Sequence, residues 1–185
     1  ALHLVKDMLH TPGSVFYVRQ QQPAGLGHAV WCARHLVGSE PVAVLLADDL
    51  ILGASCVKEM VDAYKAGNMV AVMDVTHEQT CSYGIVTPGA DDGRILLVEG
   101  LVEKPDPSSA PSNIAVVGRY IITPEVFETL AEQERGAGGE IQLTDALAKQ
   151  IGKAPFSGVR FSGERFDCGS KLGFLQANIA FGLNN

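Results

Sequence analysis

Short β-branched apolar runs that alternate with amphipathic segments constrain this chain more than any other feature. Strand-like runs lie at 15–18, 42–46, 69–73, 83–87, 95–102, 116–122 and 159–161, and helix-like segments at 27–36, 55–65, 124–133, 141–151 and 170–181. Strand and helix in alternation predict an α/β fold, with a sheet covered by helices on both faces. The runs between 83 and 122 follow one another without a helix, so the sheet is expected to be mixed rather than purely parallel. Asp91-Asp92-Gly93 has the composition of a hairpin turn, and Thr123-Pro124 that of an N-cap followed by a first-turn proline. The stretch 105–112, with its prolines and serines, reads as a surface loop. No internal repeat or linker interrupts the pattern, so 1–185 reads as one domain.

Charge and composition exclude several function classes. A net charge of -7 and a pI near 5.1 disfavour binding to a nucleic-acid backbone, which needs clustered Lys and Arg. No apolar run has the roughly 20 residues that a membrane-spanning helix requires. Cys32, Cys56, Cys81 and Cys168 are scattered, with no C-x-x-C pair, which suits a reducing, cytoplasmic setting. Residue one is Ala, and Leu2, Val5 and Leu9 already fall at helical spacing without a cap before them. The chain is therefore expected to be a piece of something longer.

Four constellations offer chemistry. Gln20, followed by Gly25-Leu26-Gly27-His28-Ala29, leaves a strand-like run and opens a helix. Glycines there suit close approach of the backbone to a ligand, and a glutamine amide complements the N3–H and adjacent carbonyl of a pyrimidine imide. The same residues also serve as a plain strand–turn–helix connection. Asp48 and Asp49 end a buried strand, where one can cap the turn and the other take part in a magnesium site. Glu103-Lys104-Pro105 ends another strand; the acid suits sugar hydroxyls and the lysine a phosphate, or the two form a surface ion pair. Asp167 either caps the last helix or joins a distant carboxylate around a metal, and Lys171 adds a cation beside it. His28 reads as a base or as hydrogen-bonded scaffolding; His3, His10, His35 and His77 have no partner pattern.

The order of these blocks says more than each does alone. With Tyr83-Gly84-Ile85-Val86, Ser112-Asn113, Gly118-Arg119-Tyr120, Gly139-Glu140-Ile141-Gln142-Leu143-Thr144-Asp145 and Asp167-Cys168-Gly169-Ser170-Lys171-Leu172-Gly173, the chain resembles the bacterial UTP–glucose-1-phosphate uridylyltransferases over nearly its whole length. The resemblance implies a Rossmann-like mixed sheet of the nucleotide-diphospho-sugar transferase type. It implies that Gln20 and Gly25 contact uracil, that Asp48 and Asp167 share Mg2+, that Gly84 and Glu103 hold glucose and that Lys104 holds its phosphate. Lys104, Asp48 and Asp167 are the catalytic candidates. The implied reaction joins UTP and glucose 1-phosphate into UDP-glucose with release of pyrophosphate.

Members of that family also have an N-terminal glycine-rich loop, G-x-G-T-R-x-x-P, and a K-E-M-L-P segment, and neither occurs in this sequence. Residues 1–185 are therefore expected to lack the nucleotide-binding segment and the extreme C-terminus, and to be weakly active or inactive alone. Two alternatives stand beside this reading: a related thymidylyltransferase, and a non-catalytic module that binds a nucleotide sugar. By analogy, a homo-oligomer is implied.

Overall fold

The computed structural model describes residues 11–184. Six strands form the main sheet: β1 (Val42–Leu45), β3 (Asn68–Asp74), β4 (Gly84–Asp91), β5 (Ile95–Glu103), β6 (Ile114–Ile122) and β7 (Phe156–Arg160), in the order β1-β6-β3-β7-β5-β4. Only β3 and β7 run parallel; the other neighbours are antiparallel, so the sheet is mixed as expected. A separate two-stranded ribbon pairs β2 (Asp49–Leu52) with β8 (Glu164–Asp167). Five α-helices are described: α1 (Leu26–Cys32), α2 (Cys56–Ala63), α3 (Pro124–Ala131), α4 (Leu143–Ala148) and α5 (Lys171–Leu183).

The two-residue period of the central strands sorts their side chains between two apolar layers. Val70, Val72, Tyr120 and Ile122 point into one layer, closed by Val126, Phe127 and Leu130 of α3 and by Leu143, Ala146 and Leu147 of α4. Met69, Ala71, Val117 and Ile121 point into the other, closed by Cys56 and Met60 of α2. Each such side chain, fully buried, stabilises the fold by roughly 1.5–3 kcal/mol, which is why β3 and β6 read as near-continuous apolar runs. Burial also pushes the Cys56 thiol up to about 11, so it serves as a small apolar group at neutral pH.

Local signals position the helices. The Ser55 hydroxyl accepts from Lys58 N at 3.3 Å at the start of α2, and the Ser170 hydroxyl accepts from Gly173 N at 3.0 Å at the start of α5. Pro124 begins α3 as expected, but the Thr123 side chain makes no cap bond, so only its extended backbone acts as the cap. The Asp91-Asp92-Gly93 hairpin forms, with Gly93 at φ 92 and Asp92 Oδ1 accepting from Arg94 N and Ile95 N at 2.8 and 2.7 Å.

Two expectations fail. The run 15–18 is not a strand: Phe16 and Tyr17 are 66% and 94% exposed, and among the described residues no ladder partner lies beside them. A strand exists only through its neighbour, and β-branched composition does not supply one. Conversely, β2 and β8 lie outside every strand-like run of the sequence. The helix-like spacing of residues 1–10 lies outside the described residues. Among the described residues, no helix is long and apolar enough to cross a membrane.

Candidate active site

The loop after β1, the start of β4, the end of β5 and the end of β8 meet around a cleft of about 270 Å3. Asp48, Gly84, Glu103, Lys104 and Asp167 all line it, so five of the residues singled out by sequence are brought together. A roomier hollow, about 550 Å3, lies between Gly67, Glu125 and Glu128 of α3, and Glu132 just beyond it. It gathers acids of one sign with Lys153, whereas the smaller cleft combines opposed carboxylates, a lysine and an arginine at strand ends, where open α/β sheets take ligands.

The adjacent acids Asp48 and Asp49 have divided their tasks. Asp49 is 5% exposed; its Oδ2 accepts from Gly118 N at 2.6 Å and its Oδ1 from the Arg165 guanidinium. A methyl group at Gly118 would sit 2.3 Å from Asp49 Oδ2, so only glycine admits the carboxylate there. Arg119 braces the same turn, donating to the carbonyls of Leu46 (2.9 Å), Gly118 (2.8 Å) and Asp49. Asp48 is the exposed member. Its backbone carbonyl accepts from Cys168 N at 2.7 Å, and among the described residues its carboxylate has no ion-pair partner. Asp48 and Asp167 face each other across Gly169: a Cβ there would lie 3.3 Å from Asp48 Oδ2 and 3.1 Å from Asp167 Oδ1. Among the described residues no three His, Cys, Asp or Glu groups cluster as a metal cage. Two carboxylates fit a hard divalent ion that completes its shell with phosphate oxygens and water.

Asp167 does not cap α5, a task that falls to Ser170; its Oδ1 accepts from Gly169 N at 3.0 Å in a local turn. Glu103 stands opposite Gly84 in the β4–β5 ladder, and its side chain is only 11% exposed. A methyl at Gly84 would come within 3.2 Å of both Glu103 Oε2 and Thr144 Oγ1, so glycine keeps that floor open for a ligand. Lys104 alone among the described non-glycine residues has a positive φ, 44°. Its N–H donates to Tyr83 O at 3.0 Å, and Nζ stands 3.8 Å from Glu103 Oε1. A side chain held in the left-handed region costs on the order of 1–3 kcal/mol, and such positions concentrate at functional sites.

The remaining candidates stand apart. Lys171 opens α5 on the exposed surface and does not line the cleft. Gln20 and Gly25 do not line it either; they flank the start of α1, whose Leu26 does. The glycines of that segment are required by the protein itself. A Cβ at Gly25 would lie 2.7 Å from Ile141 O, and one at Gly27 2.8 Å from the same atom. Gly27 N donates to Ile141 O at 2.8 Å and Ile141 N to Ala24 O at 2.7 Å, binding the segment to the one that precedes α4.

Sequence reasoning passed over Arg165 and Tyr120. Burial alone would lower the Arg165 pKa, but Asp49 and Tyr83 outweigh it and hold the guanidinium above its ordinary value; Nη1 donates to Tyr83 Oη at 3.0 Å. The signal was available: Arg165 and Asp167 alternate on one strand face, but only once β8 is recognised as a strand. Tyr120 is 7% exposed, and burial, then Glu103, Asp49 and Asp48, push its phenol above the usual 10. The folded value is raised, so this contribution to stability is complete below about pH 10 and is lost as pH rises through the folded value. An alkaline ultraviolet titration should show a tyrosine that ionises late, together with unfolding, and Tyr120→Phe should remove that phase. Ionisation of every tyrosine near pH 10 in folded protein would contradict this assignment.

Comparison with known proteins adds a second line of evidence. Residues 4–181 match the family model described as nucleotidyl transferase. The chain is 52% identical over 164 residues to the UTP–glucose-1-phosphate uridylyltransferase of Komagataeibacter xylinus, covering 87% of this chain and 58% of that protein. It is 44% identical over 174 residues to the protein of the same name from Bacillus subtilis (strain 168), covering 92% of this chain and 60% of that one. A crystal structure of UDP-glucose pyrophosphorylase complexed with UDP-glucose superimposes with a TM-score of 0.88 at 40% identity, covering 92% of this chain and 66% of that one. The chain thus spans 58–60% of the length of these two curated relatives. A match over nearly all of its residues, on a mixed sheet with acids gathered at its strand ends, makes this chain a member of the nucleotidyl transferase family.

Proposed function

We propose that the polypeptide to which this chain belongs transfers the uridylyl group of UTP to glucose 1-phosphate, forming UDP-glucose and pyrophosphate in the cytoplasm, with Mg2+ as the metal. The observation that supports this most is the cleft in which Asp48 and Asp167 oppose each other while Glu103 and Lys104 enter from β5. The names of the two curated relatives support the choice of UTP and glucose 1-phosphate, and the UDP-glucose in the similar crystal structure supports the product. In this reading 1–185 is part of a single nucleotidyltransferase domain. The scattered cysteines, with no C-x-x-C pair, favour the cytoplasmic setting.

The reaction is an in-line attack by a sugar phosphate oxygen on the α-phosphorus of UTP, and it requires no protein nucleophile. Its barrier falls by bringing two anions together and balancing their charge. Lys104, held in its left-handed turn beside Glu103, offers the sugar phosphate a fixed cation. Glu103 accepts from sugar hydroxyls over the open floor at Gly84. Asp48 and Asp167 hold the metal, which when bound neutralises phosphate charge. Gln20 and Gly25 meet the base, and Lys171 adds a cation near the start of α5.

The test is pyrophosphate release by the full-length polypeptide with UTP, dTTP and glucose 1-phosphate. Turnover strongly favouring UTP is expected; an equal or greater rate with dTTP, or UDP-glucose binding without any turnover, would overturn the assignment. Within the same assay Glu103→Gln should raise KM for glucose 1-phosphate about tenfold while leaving KM for UTP near its original value, the size of a lost charge-assisted hydrogen bond.

A further inference from the structure

Gln20 was expected to present both halves of its amide to a ligand. In the folded chain one half is already committed. Its Nε2 lies 3.1 Å from Gly25 O and 2.9 Å from His28 Nδ1. A backbone carbonyl oxygen only accepts, so the amide nitrogen must face Gly25; the flipped amide would set two oxygens against each other. One hydrogen of the nitrogen goes to Gly25, and the other is left for His28. Nδ1 must then carry a lone pair, which makes the imidazole neutral with its proton on Nε2. Cys32 Sγ stands 4.0 Å from Nδ1 and 3.9 Å from Nε2, so it does not favour either tautomer. The Trp31 ring, stacked at 5.9 Å and 24°, holds the imidazole plane. Gln20 Oε1 has no hydrogen-bond partner among the described residues.

We propose that His28 is a positioning residue that makes Gln20 an acceptor-only reader of the base, so that the site selects a ring N–H and rejects cytosine. The proposal rests on the reading that Gln20 meets the nucleobase. Uracil offers a hydrogen at N3, where cytosine has a lone pair; against a fixed carbonyl oxygen the first makes a hydrogen bond and the second meets repulsion. A freely turning amide would accommodate either base, so the discrimination lies in the anchoring of Gln20. Sites built around one such donor–acceptor match reject the mismatched ligand far more strongly than apolar pockets do.

The test uses the full-length polypeptide with UTP and CTP as alternative substrates. His28→Phe keeps a ring against Trp31 but removes the acceptor. It should raise KM for UTP about tenfold, lower the UTP-over-CTP ratio of kcat/KM by a similar factor, and leave KM for glucose 1-phosphate in place. His28→Asn, whose side-chain oxygen falls near the Nδ1 position, should restore most of the ratio. Equal loss in both variants, or an unchanged ratio in His28→Phe, would overturn the proposal. Gln20→Ala separates the two layers of the argument: unchanged KM for UTP removes the base contact itself, whereas raised KM alongside an inert His28→Phe removes only the positioning role. Nitrogen-15 NMR of the unmodified protein gives an answer independent of any variant's folding. A proton on Nε2 of His28 is the expected result, and a proton on Nδ1 contradicts it.

Discussion

Asp48→Asn in the full-length polypeptide is expected to lower kcat about a hundredfold or more without disturbing the fold. Asp48 is exposed at the cleft, and its carboxylate has no ion-pair partner among the described residues, so asparagine forfeits no ion pair of the folded chain. In the proposed reaction that charge is available for the cation that balances developing phosphate charge. Asp167→Asn should lower kcat alike; an amide oxygen can still accept the 3.0 Å bond from Gly169 N, and the variant gives up only the longer 3.8 Å approach of Oδ2 to Arg165 Nη2. The measurement is pyrophosphate release across a magnesium titration, with the thermal midpoint followed in parallel. Near-original rates in both variants at ordinary magnesium would sink the metal assignment.

Arg165→Met is expected to act on stability first. Its guanidinium pairs with Asp49, and the two side chains are only 11% and 6% exposed. Removing one member of a buried pair leaves the other charge without compensation, a loss of about 3–5 kcal/mol. For a domain of this size that corresponds to a fall of roughly 10 °C in the unfolding midpoint. Asp49→Leu should cost a similar amount, and the double variant should recover part of it by removing the orphaned charge. Lys58 and Asp62 supply the control, since they approach to 2.6 Å but are 73% and 57% exposed. Asp62→Asn should shift stability by less than about 1 kcal/mol. Comparable shifts at the buried and exposed pairs would mean that Arg165 is not anchored as described.

The contrast between Asp48 and Asp49 illustrates what could be read without coordinates. The strands β3 and β6 were legible because burial on both faces demands long apolar runs, and such runs survive in one dimension; β5 was legible as an apolar run although its Leu97 and Val102 are exposed. The gathering of acids at strand ends was legible through its motifs, since each lies just after a run. Which of two adjacent acids faces the cleft was not legible. That depends on the β2–β8 ribbon, in which Asp49 stands opposite Asp167 across most of the chain, and neither D-L-I-L nor E-R-F-D announces a strand. The run 15–18 failed for the opposite reason, having the composition of a strand but no neighbour. The orientation of the Gln20 amide was also hidden, because it is decided by Gly25 and His28, which the helix turn brings to it.

The same ribbon bears on synthesis. A nascent chain that has emerged through Arg160 already contains every described strand of the main sheet, yet its Asp48 still faces no opposing acid. Only the arrival of Glu164–Asp167 completes the pair, and with it the arginine that anchors Asp49. Because that closure joins residues so distant in sequence, it comes late on the ribosome. Competence for the proposed cation therefore waits on β8, and a chain clipped before it is expected to lose both the acid opposite Asp48 and the arginine that pairs with Asp49.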